Sequence, residues 1–425
     1  MSLLPNEPIK ILTVVGARPN FMKVAPIIRA VREHNKSSRG PQIEHLLVHT
    51  GQHYDEAMSD RFFADLGLPK PDVHLGVGSG SHTVQTAEVM KKFEDVLLRE
   101  KPAVVIVVGD VNSTVACAMV AAKVTYDSSG ARALIAHVES GLRSFDRTMP
   151  EEVNRVVTDH VSDFLFVTEE SGLNNLRNEG ISSSQVHFVG NTMIDSVLAF
   201  KEKAEASTAL EDLGLRLKSG NGEGDTSIRR YGLLTLHRPS NVDNPEAFVS
   251  ILGGLEELAK ECPIVFPVHP RTRRRIAEFG LENHVGVTSS KVGGGAPGTQ
   301  ASCNGIVLTD PLGYLDFLCL MKHAAIVVTD SGGIQEETTC LGVPCVTVRE
   351  NTERPVTVEH GTNIIAGIER DRIKDAIQLQ TQRRKGAGMP QHWDGHAAER
   401  IVEVLIQTLQ SGKSSREATV PQSCA

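Results

Sequence analysis

The sequence has no C-x-x-C cysteine pair and no long apolar run, and each absence excludes a class of protein. The seven cysteines are scattered and odd in number, which argues against a disulfide scaffold or a cysteine-rich zinc site. No apolar stretch approaches the roughly 18 residues that a membrane-spanning helix needs. The N-terminus also lacks the basic and apolar regions of a signal peptide. We therefore expect a cytoplasmic protein with no membrane partner.

A surplus of positive charge is also lacking. The formal net charge is −8, whereas proteins that bind nucleic acids usually carry a basic surface. Nucleic acid is therefore not an expected partner. An anionic small molecule remains compatible with this charge, because a pocket can be locally positive in an acidic protein.

Short apolar runs rich in β-branched residues alternate with helical patterns along the 425 residues. Their hydrophobicity is continuous rather than alternating, which predicts parallel strands buried on both faces by helices. We expect an α/β fold with two doubly wound, Rossmann-like domains. Asn244 and Pro245 predict the start of one helix. The predicted strands are 9–15, 43–49, 103–109, 132–138, 163–168, 231–236, 263–268, 305–309, 324–329 and 344–348.

The pattern loosens in the polar, glycine-rich stretch 201–228, which predicts the join between the domains. We assign 1–200 to an N-terminal domain with most of the catalytic carboxylates and 201–395 to a C-terminal domain that binds the ligand. Residues 396–425 are expected to form a helix that packs back on the N-terminal domain, followed by a frayed tail. The stretch 289–305, rich in glycine and serine, predicts a mobile surface insertion.

Polar side chains follow nearly every predicted strand. Because doubly wound sheets bind ligands at the carboxyl ends of their strands, this clustering predicts an active site in a central cleft between the domains. One such stretch, "HVESGLRSFDRTMPEEVNR", interleaves carboxylates with arginines, as either a solvated loop or an active site would. Its charged residues are Glu139, Arg143, Asp146, Arg147, Glu151, Glu152 and Arg155.

The stretch "TDSGGIQEE" predicts an anion site at the start of a helix. Paired glycines let the backbone approach a ligand, and free N–H groups at a helix N-terminus hold an anion. The P-loop pattern with its lysine is absent. Glu336 either complements the helix dipole or contacts a ligand. Glu337 is suited to the hydroxyl groups of a ribose.

Several other motifs have simpler explanations. His137-x-Glu139 matches half of a zinc deaminase signature, but no P-C-x-x-C follows. The "GVGSGS" stretch at 76–81 follows no convincing strand and predicts a loop. His237 and His269 follow strands and precede arginines, so a structural role and a role in phosphate binding or acid–base chemistry stay open.

The motifs together resemble those of one family. "GARPNFMKVAP", "TGQH", "VVGDVNST", "HVESGLRS", "PEEVNR", "VGNTMID", "TLHRPSN", "HPR", "TDSGGIQEE" and "TERP" occur in the order found in the non-hydrolysing UDP-N-acetylglucosamine 2-epimerases. The resemblance runs from about residue 9 to 366. The combination of "HVESGLRS", "PEEVNR" and "TDSGGIQEE" with "TERP" is highly specific.

This resemblance implies a glycosyltransferase-B fold and the interconversion of UDP-N-acetylglucosamine (UDP-GlcNAc) and UDP-N-acetylmannosamine (UDP-ManNAc). The implied path is anti elimination of UDP followed by its re-addition with inversion at C2, without a cofactor or a metal. A UDP-sugar substrate, a homodimer and a place in polysaccharide biosynthesis are also implied.

The resemblance also implies roles for individual residues. The matching catalytic residues are Asp110, Glu139, Glu151 and His237. The matching UDP-binding residues are Arg18, Lys23, Ser331, Gly332, Gly333 and Glu337. The candidate allosteric residues are Gln52, His53 and His269. For Arg143, Asp146, Glu152 and Arg155, in the same carboxylate-rich stretch, a purely structural role is the alternative to a role in catalysis.

Other functions stay open at this point. "HRPSNVDN" and "GARPN" depart from the pattern of many bacterial members, which favours an epimerase of a modified UDP-sugar, of the diacetamido-uronic acid type, as an alternative. A UDP-sugar glycosyltransferase would share the fold and the nucleotide site. A hydrolysing epimerase or a UDP-sugar sensor without turnover are further alternatives.

Overall fold

The structure, a computed structural model, describes residues 8–37, 40–51, 63–218, 226–282, 305–382 and 388–411. It contains two compact units, Met1–Ser196 with Gln391–Ala425, and Val197–Pro390. Some predicted features lie outside the described residues, namely Gln52, His53, the insertion up to residue 304 and the tail from residue 412.

The first unit contains one parallel sheet of seven strands in the order β3-β2-β1-β4-β5-β6-β7. The five strands predicted for this half are confirmed, with small shifts at their ends. β3 and β7 were not predicted. The strands are β1 Ile9–Val15, β2 Ile43–His49, β3 Val73–His74, β4 Val104–Val108, β5 Leu134–Ser140, β6 Phe164–Val167 and β7 Val186–Phe188.

Helices connect these strands and cover both faces of the sheet. The α-helices in this part of the chain are Arg18–Ser37, His82–Glu100, Asn112–Lys123, Pro150–Val161, Glu170–Asn178 and Thr192–Phe200, with Ala397–Ser411 near the C-terminus and a 3₁₀ turn at Ser183–Gln185. No described helix is long and apolar enough to cross a membrane.

The second unit contains a parallel sheet of six strands in the order β12-β11-β10-β13-β14-β15, and a separate antiparallel pair, β8 and β9. The strands are β8 Arg216–Lys218, β9 Thr226–Ile228, β10 Gly232–Thr235, β11 Pro263–Pro267, β12 Gly305–Thr309, β13 Ile326–Thr329, β14 Cys345–Thr347 and β15 Asn363–Ile365. The α-helices are Ala209–Asp212, Pro239–Val242, Pro245–Gly254, Glu256–Glu261, Pro270–Glu278, Tyr314–His323, Gly332–Leu341, Val356–Glu359 and Arg370–Gln382, with a 3₁₀ turn at Lys203–Ala206. The predicted α/β class with two parallel sheets is confirmed.

The central strands of both sheets are buried on both faces, as their hydrophobicity predicted, whereas strands toward the edge of the first sheet, such as β2, β3 and β7, are partly exposed. Every side chain of Val104–Val108 is at most 1% exposed. Burial of one such aliphatic side chain contributes about 1.5–3 kcal/mol, so the central strands are the main apolar core of each unit. The predicted cap is also confirmed, because the Asn244 side chain accepts a hydrogen bond from the Ala247 N–H at 3.1 Å.

Each sheet has one position where the strand order reverses. In the first unit β1 lies beside β4, and in the second unit β10 lies beside β13. The loops that follow these paired strands leave in opposite directions and open a crevice at the carboxyl edge of the sheet. The loops concerned carry "GARPN", "GDVNST", "HRPSN" and "DSGG".

The C-terminal segment belongs to the first unit. The helix Ala397–Ser411 packs against Arg18–Ser37. Its first two amide groups donate to the buried carboxylate of Asp195 at 3.2 and 2.8 Å. Just before it, the buried indole of Trp393 donates to the carbonyl oxygen of Thr168 at 3.0 Å. The segment is therefore fixed by polar contacts as well as by apolar packing.

Candidate active site

Lys23 and Glu139 form a buried ion pair at the carboxyl edge of the first sheet. Lys23 lies in the helix after β1, and Glu139 lies near the end of β5. The lysine Nζ and the glutamate Oε2 are 2.6 Å apart, and the side chains are 5% and 2% exposed. Since burying one of these charges alone would cost several kcal/mol, each holds the other in place. Lys23, assigned to UDP from the sequence, thus contacts a predicted catalytic carboxylate.

Glu139 occupies a β-bulge. β5 and β6 are paired at Val138 and again at Ser140 with a shifted register, so Glu139 is the extra residue. Its φ of 70° lies in the left-handed region, which costs of order 1–3 kcal/mol for a residue other than glycine. A bulge redirects the side chain at its position. The strained backbone therefore accounts for the direction of the Glu139 carboxylate.

Asp110 lies directly after the neighbouring strand β4. Its Oδ2 atom is 2.5 Å from Nη2 of Arg155, whose side chain is 2% exposed. Nη1 of the same arginine is 2.9 Å from Oε2 of Glu152. Because β4 and β5 are hydrogen-bonded neighbours, Asp110 and Glu139 leave the same edge of the sheet. Arg155 thus has a structural role, which is to orient Asp110.

Glu151 and Glu152 are neighbours in the first turn of the helix Pro150–Val161 but have different surroundings. The buried carboxylate of Glu152 accepts hydrogen bonds from the backbone N–H groups of Ser144 and Phe145, both at 2.9 Å. It holds the preceding loop, in agreement with the structural alternative. Glu151 is half-buried, and it has no hydrogen bond or ion pair to another described residue. Of the two, Glu151 is the carboxylate open to a ligand.

His137, noted for its zinc-like spacing, is a buried structural residue. Its Nδ1 is 2.6 Å from Oδ1 of Asp159, and its Nε2 is 2.8 Å from the Gly109 carbonyl oxygen. Burial alone would raise the pKa of Asp159, but His137 and Arg143 outweigh this effect and hold that pKa below its usual value. The ring therefore ties the end of β4 to β5. No cluster of side chains suited to a metal ion occurs among the described residues.

In the second unit, His237 is exposed but held by a buried carboxylate. Its Nδ1 is 2.8 Å from Oδ1 of Asp330, whose side chain is 0% exposed. The Asp330 carboxylate also accepts hydrogen bonds from the backbone N–H groups of His237 and Arg238, at 3.0 and 2.9 Å. Burial would raise the pKa of Asp330, but His237 and these N–H groups keep it low. Asp330 was not predicted as a site residue, although it directly follows β13.

The glycine-rich loop after β13 leads into the helix Gly332–Leu341. The Ser331 N–H donates to the Thr329 hydroxyl at 3.0 Å, so it is already engaged. The N–H groups of Gly332 and Gly333 have no acceptor among the described residues. These two amides, at the positive end of a helix dipole, are therefore the anion-binding part of the predicted cradle.

Glu336 and Glu337 lie in the same helix and are both buried. Oε1 of Glu336 is 3.0 Å from Nε of Arg354, so Glu336 holds an arginine rather than serving only the helix dipole. Burial, together with the neighbouring Glu336 charge, raises the pKa of Glu337 to about 8. A carboxyl group that keeps its proton near neutral pH both donates and accepts hydrogen bonds, which suits a pair of ligand hydroxyl groups.

We expect the Glu337→Gln substitution to stabilise the protein at high pH. The folded-state pKa of Glu337 is raised above the ordinary 4.5, so the folded state holds a proton that the unfolded state has lost. Glu337 therefore lowers the free energy of unfolding as pH rises from about 4.5 to about 8. The loss is about 1.4 kcal/mol per pH unit in this range. Thermal unfolding at about pH 5 and about pH 9 should show a gain for the variant that is larger at the higher pH. An equal gain in stability at both pH values would contradict this prediction. Glu359→Gln, at the exposed end of a helix, is the matched control.

The other predicted residues have more limited placements. His269 is exposed and caps the helix Pro270–Glu278, because its Nδ1 accepts the Arg271 N–H at 3.3 Å. Arg273 and Arg275 pair with Asp310 and Asp243 at the surface, so the arginines of this helix form a solvated basic face. Arg18 begins the helix Arg18–Ser37, and its side chain lies outside the described part of the structure.

The chain is similar to known proteins along nearly its whole length. The sequence model of the family described as UDP-N-acetylglucosamine 2-epimerase matches residues 35–406. The UDP-N-acetylglucosamine 2-epimerase of Methanocaldococcus jannaschii is 41% identical over 398 residues, which are 93% of this chain and 98% of that protein. The UDP-2,3-diacetamido-2,3-dideoxy-D-glucuronate 2-epimerase of Pseudomonas aeruginosa is 38% identical over 401 residues, which are 94% of this chain and 99% of that protein.

Solved structures agree with the sequence comparisons. The crystal structure of M. jannaschii UDP-GlcNAc 2-epimerase in complex with UDP-GlcNAc and UDP has a TM-score of 0.79 and 40% identity, covering 93% of this chain and 99% of that one. The structure of the Neisseria meningitidis UDP-GlcNAc 2-epimerase bound to UDP-GlcNAc has a TM-score of 0.76 and 29% identity, covering 94% of this chain and 100% of that one. The motifs, the fold and these relatives agree, and the chain belongs to the UDP-N-acetylglucosamine 2-epimerase family.

Proposed function

We propose that this chain is a non-hydrolysing epimerase that interconverts UDP-GlcNAc and UDP-ManNAc. The observation that carries the proposal is the strained, buried carboxylate of Glu139, paired with Lys23 and directed from the same sheet edge as Asp110. Relatives named for this activity, two of them solved with UDP-GlcNAc bound, support the choice of substrate.

The proposed reaction begins with removal of the proton at C2 of the sugar by a carboxylate. The electron pair of the C2–H bond forms a C1=C2 double bond, and the bond between C1 and the diphosphate oxygen breaks. UDP leaves with that bonding pair, and 2-acetamidoglucal remains. A proton is then delivered to the other face of C2 while the UDP oxygen returns to C1. Proton transfers of this kind need an acid and a base placed on opposite faces of the sugar.

We assign these proton transfers to Asp110, Glu139 and Glu151. Their surroundings differ, since Asp110 contacts Arg155, Glu139 contacts Lys23 and Glu151 is open to a ligand. Carboxyl groups in different environments can hold different protonation states, as a mechanism with two faces requires.

Departure of UDP builds negative charge on the leaving phosphate. We assign His237, Arg18 and the amides of Gly332 and Gly333 to its stabilisation, because preorganised donors are most effective where charge develops. Asp330 holds His237 at Nδ1 and so leaves Nε2 for the ligand. Glu337 is assigned to the ribose, and the candidate allosteric roles of Gln52, His53 and His269 stay proposals.

Proton NMR of UDP-GlcNAc incubated with the protein in D2O tests this function. We expect a growing UDP-ManNAc anomeric signal and deuterium at C2 of both sugars. Accumulation of free UDP and N-acetylmannosamine would instead indicate a hydrolysing enzyme. Tight UDP binding without any conversion would contradict epimerisation of this substrate.

An epimerase of a modified UDP-sugar is the second candidate. The P. aeruginosa relative is named for a diacetamido-uronic acid substrate, and its identity of 38% is close to the 41% of the M. jannaschii relative. Conversion of UDP-diacetamido-glucuronate, but not of UDP-GlcNAc, in the same NMR experiment would favour this candidate. A homodimer, a cytoplasmic location and a place in polysaccharide biosynthesis are carried over as expectations of the family resemblance.

A further inference from the structure

Glu353 is a buried carboxylate that contacts three arginines. Its Oε2 is 2.8 Å from Nη2 of Arg349, and its Oε1 is 3.3 Å from both Nη1 of Arg354 and Nη2 of Arg238. The Glu353 side chain is 3% exposed, and those of Arg349, Arg354 and Arg238 are 6%, 5% and 24% exposed. We call these three arginines with Glu336 and Glu353 the arginine cluster.

The arginine cluster joins segments that are distant in sequence. Arg238 follows β10, Arg349 and Arg354 follow β14, and Glu336 lies in the helix after β13. Within the cluster, three guanidinium groups face two carboxylates, and the Asp330 carboxylate, which accepts a hydrogen bond from the Arg238 N–H, lies beside them. Glu353 is the member that contacts all three arginines.

The cluster lies directly against the start of the helix Gly332–Leu341. A Cβ atom at Gly332 would be 2.9 Å from Nη1 of Arg354 and 3.2 Å from Oε1 of Glu353. A side chain at this position would therefore displace the cluster. The same residue presents one of the two amides with no acceptor among the described residues. The guanidinium groups of the cluster and the amides of Gly332 and Gly333 thus lie close together.

Arg349 shows that the cluster suits an additional anion. Its Nη1 atom is buried without a hydrogen-bond partner among the described residues. Burial lowers the pKa of Arg349, and the neighbouring charges of Arg238 and Arg354 lower it further, against the opposing effect of Glu353. An anion close to the cluster would relieve this repulsion.

We propose that Glu353 is a positioning residue that holds the three guanidinium groups in place for an oxyanion at the start of the helix Gly332–Leu341. This inference rests on the proposed function, in which the oxyanion is the diphosphate of UDP. Glu353 itself does not contact the ligand. Guanidinium groups bind phosphate strongly only when their planar donors are correctly directed.

Two roles for Glu353 predict opposite effects of its removal. If Glu353 only reduced the positive charge, the Glu353→Gln substitution would increase that charge and strengthen anion binding. If Glu353 positions the arginines, the same substitution leaves them misdirected and weakens binding. The sign of the change in affinity therefore decides between the two roles.

Calorimetric titration of the full chain with UDP, uridine and inorganic pyrophosphate tests the proposal. For Glu353→Gln we expect the affinity for UDP and pyrophosphate to fall about 10- to 100-fold, as for the loss of one or two charge-assisted hydrogen bonds. The affinity for uridine should stay within about twofold, since it has no phosphate. Glu353→Asp should recover part of the loss, and Glu350→Gln, an exposed neighbour paired with Arg372, should change nothing.

Unchanged or tighter UDP binding by Glu353→Gln would overturn the proposal, as would an equal loss for UDP and uridine. Should that variant fail to fold, Arg349→Lys keeps the charge but loses the planar donors and should weaken UDP and pyrophosphate binding, while normal affinity would overturn the proposal. If the native protein binds pyrophosphate but not UDP, the proposed function fails while the pyrophosphate titrations still decide the role of Glu353. Binding of neither would overturn both.

Discussion

Replacement of Glu139 by glutamine is expected to slow proton exchange at C2 by about 10²- to 10⁴-fold, because a positioned acid or base contributes that much to proton transfer. The glutamine has almost the same shape but cannot take up a proton. The strained bulge at this position directs the side chain, and an amide in the same place cannot carry out the proton transfer. Deuterium uptake at C2 of UDP-GlcNAc, followed by proton NMR, measures the effect directly.

The buried partner of Glu139 requires its own control. Glu139→Gln leaves the Lys23 charge buried without a counter-ion, and breaking a buried pair in this way costs about 3–5 kcal/mol. The double variant Lys23→Met with Glu139→Gln removes both charges and should recover most of that stability without recovering exchange. Glu94→Gln, on the exposed face of a helix, should exchange normally. Exchange at the native rate in a folded Glu139→Gln variant would remove this residue from the mechanism.

Replacement of Asp330 by asparagine is expected to lower turnover by about 10²- to 10⁴-fold. Asp330 fixes the tautomer of His237 by accepting a hydrogen bond at Nδ1, and loss of such a carboxylate has effects of this size in comparable aspartate–histidine pairs. Asparagine keeps an oxygen for the backbone N–H groups of the histidine loop but also turns an N–H₂ group toward the ring. Steady-state turnover and the ¹⁵N NMR signals of the His237 ring are the measurements.

The matched control for Asp330 is Asp310→Asn. Asp310 also directly follows a strand, β12, but is exposed and pairs with Arg273 at the surface. The Asp310→Asn substitution should change neither turnover nor the ¹⁵N NMR signals of the His237 ring. A fall in turnover for Asp330→Asn with an unchanged tautomer of His237 would contradict the orienting role.

Much of the fold can be predicted from the sequence because buried parallel strands carry a strong local signal. β4 is wholly apolar over its five residues, and β1 and β2, with seven residues each, are mostly aliphatic. β3 and β15 have only two and three residues, too few for any hydrophobic pattern. They are strands because a neighbouring strand supplies hydrogen bonds, and that neighbour is not visible in the local sequence.

The candidate site also contains residues that the local sequence indicates and residues that only contacts between distant segments reveal. Asp110 and His237 are noticeable in the sequence because they directly follow apolar runs, but the roles predicted for them, like that of Glu139, come from the resemblance to the family. The partners that hold these residues could not be predicted. Asp330 and Arg155 act through contacts between distant segments, and a sequence pattern does not show which charge faces which. The carboxylates Glu151 and Glu152 are adjacent and alike in sequence, yet only the structure separates an open one from one that holds a loop.

The C-terminal segment has a consequence for how the protein is made. The second unit, Val197–Pro390, is continuous, whereas the first unit is completed only by Gln391–Ala425. During translation, the Asp195 carboxylate and the Thr168 carbonyl oxygen of the nascent first unit stay unpaired until the second unit has been synthesised, because their donors follow that unit in the sequence. Domains generally fold as units during synthesis. We expect the second unit to be completed first, and the first unit to be completed only after residues from Gln391 onward have been synthesised.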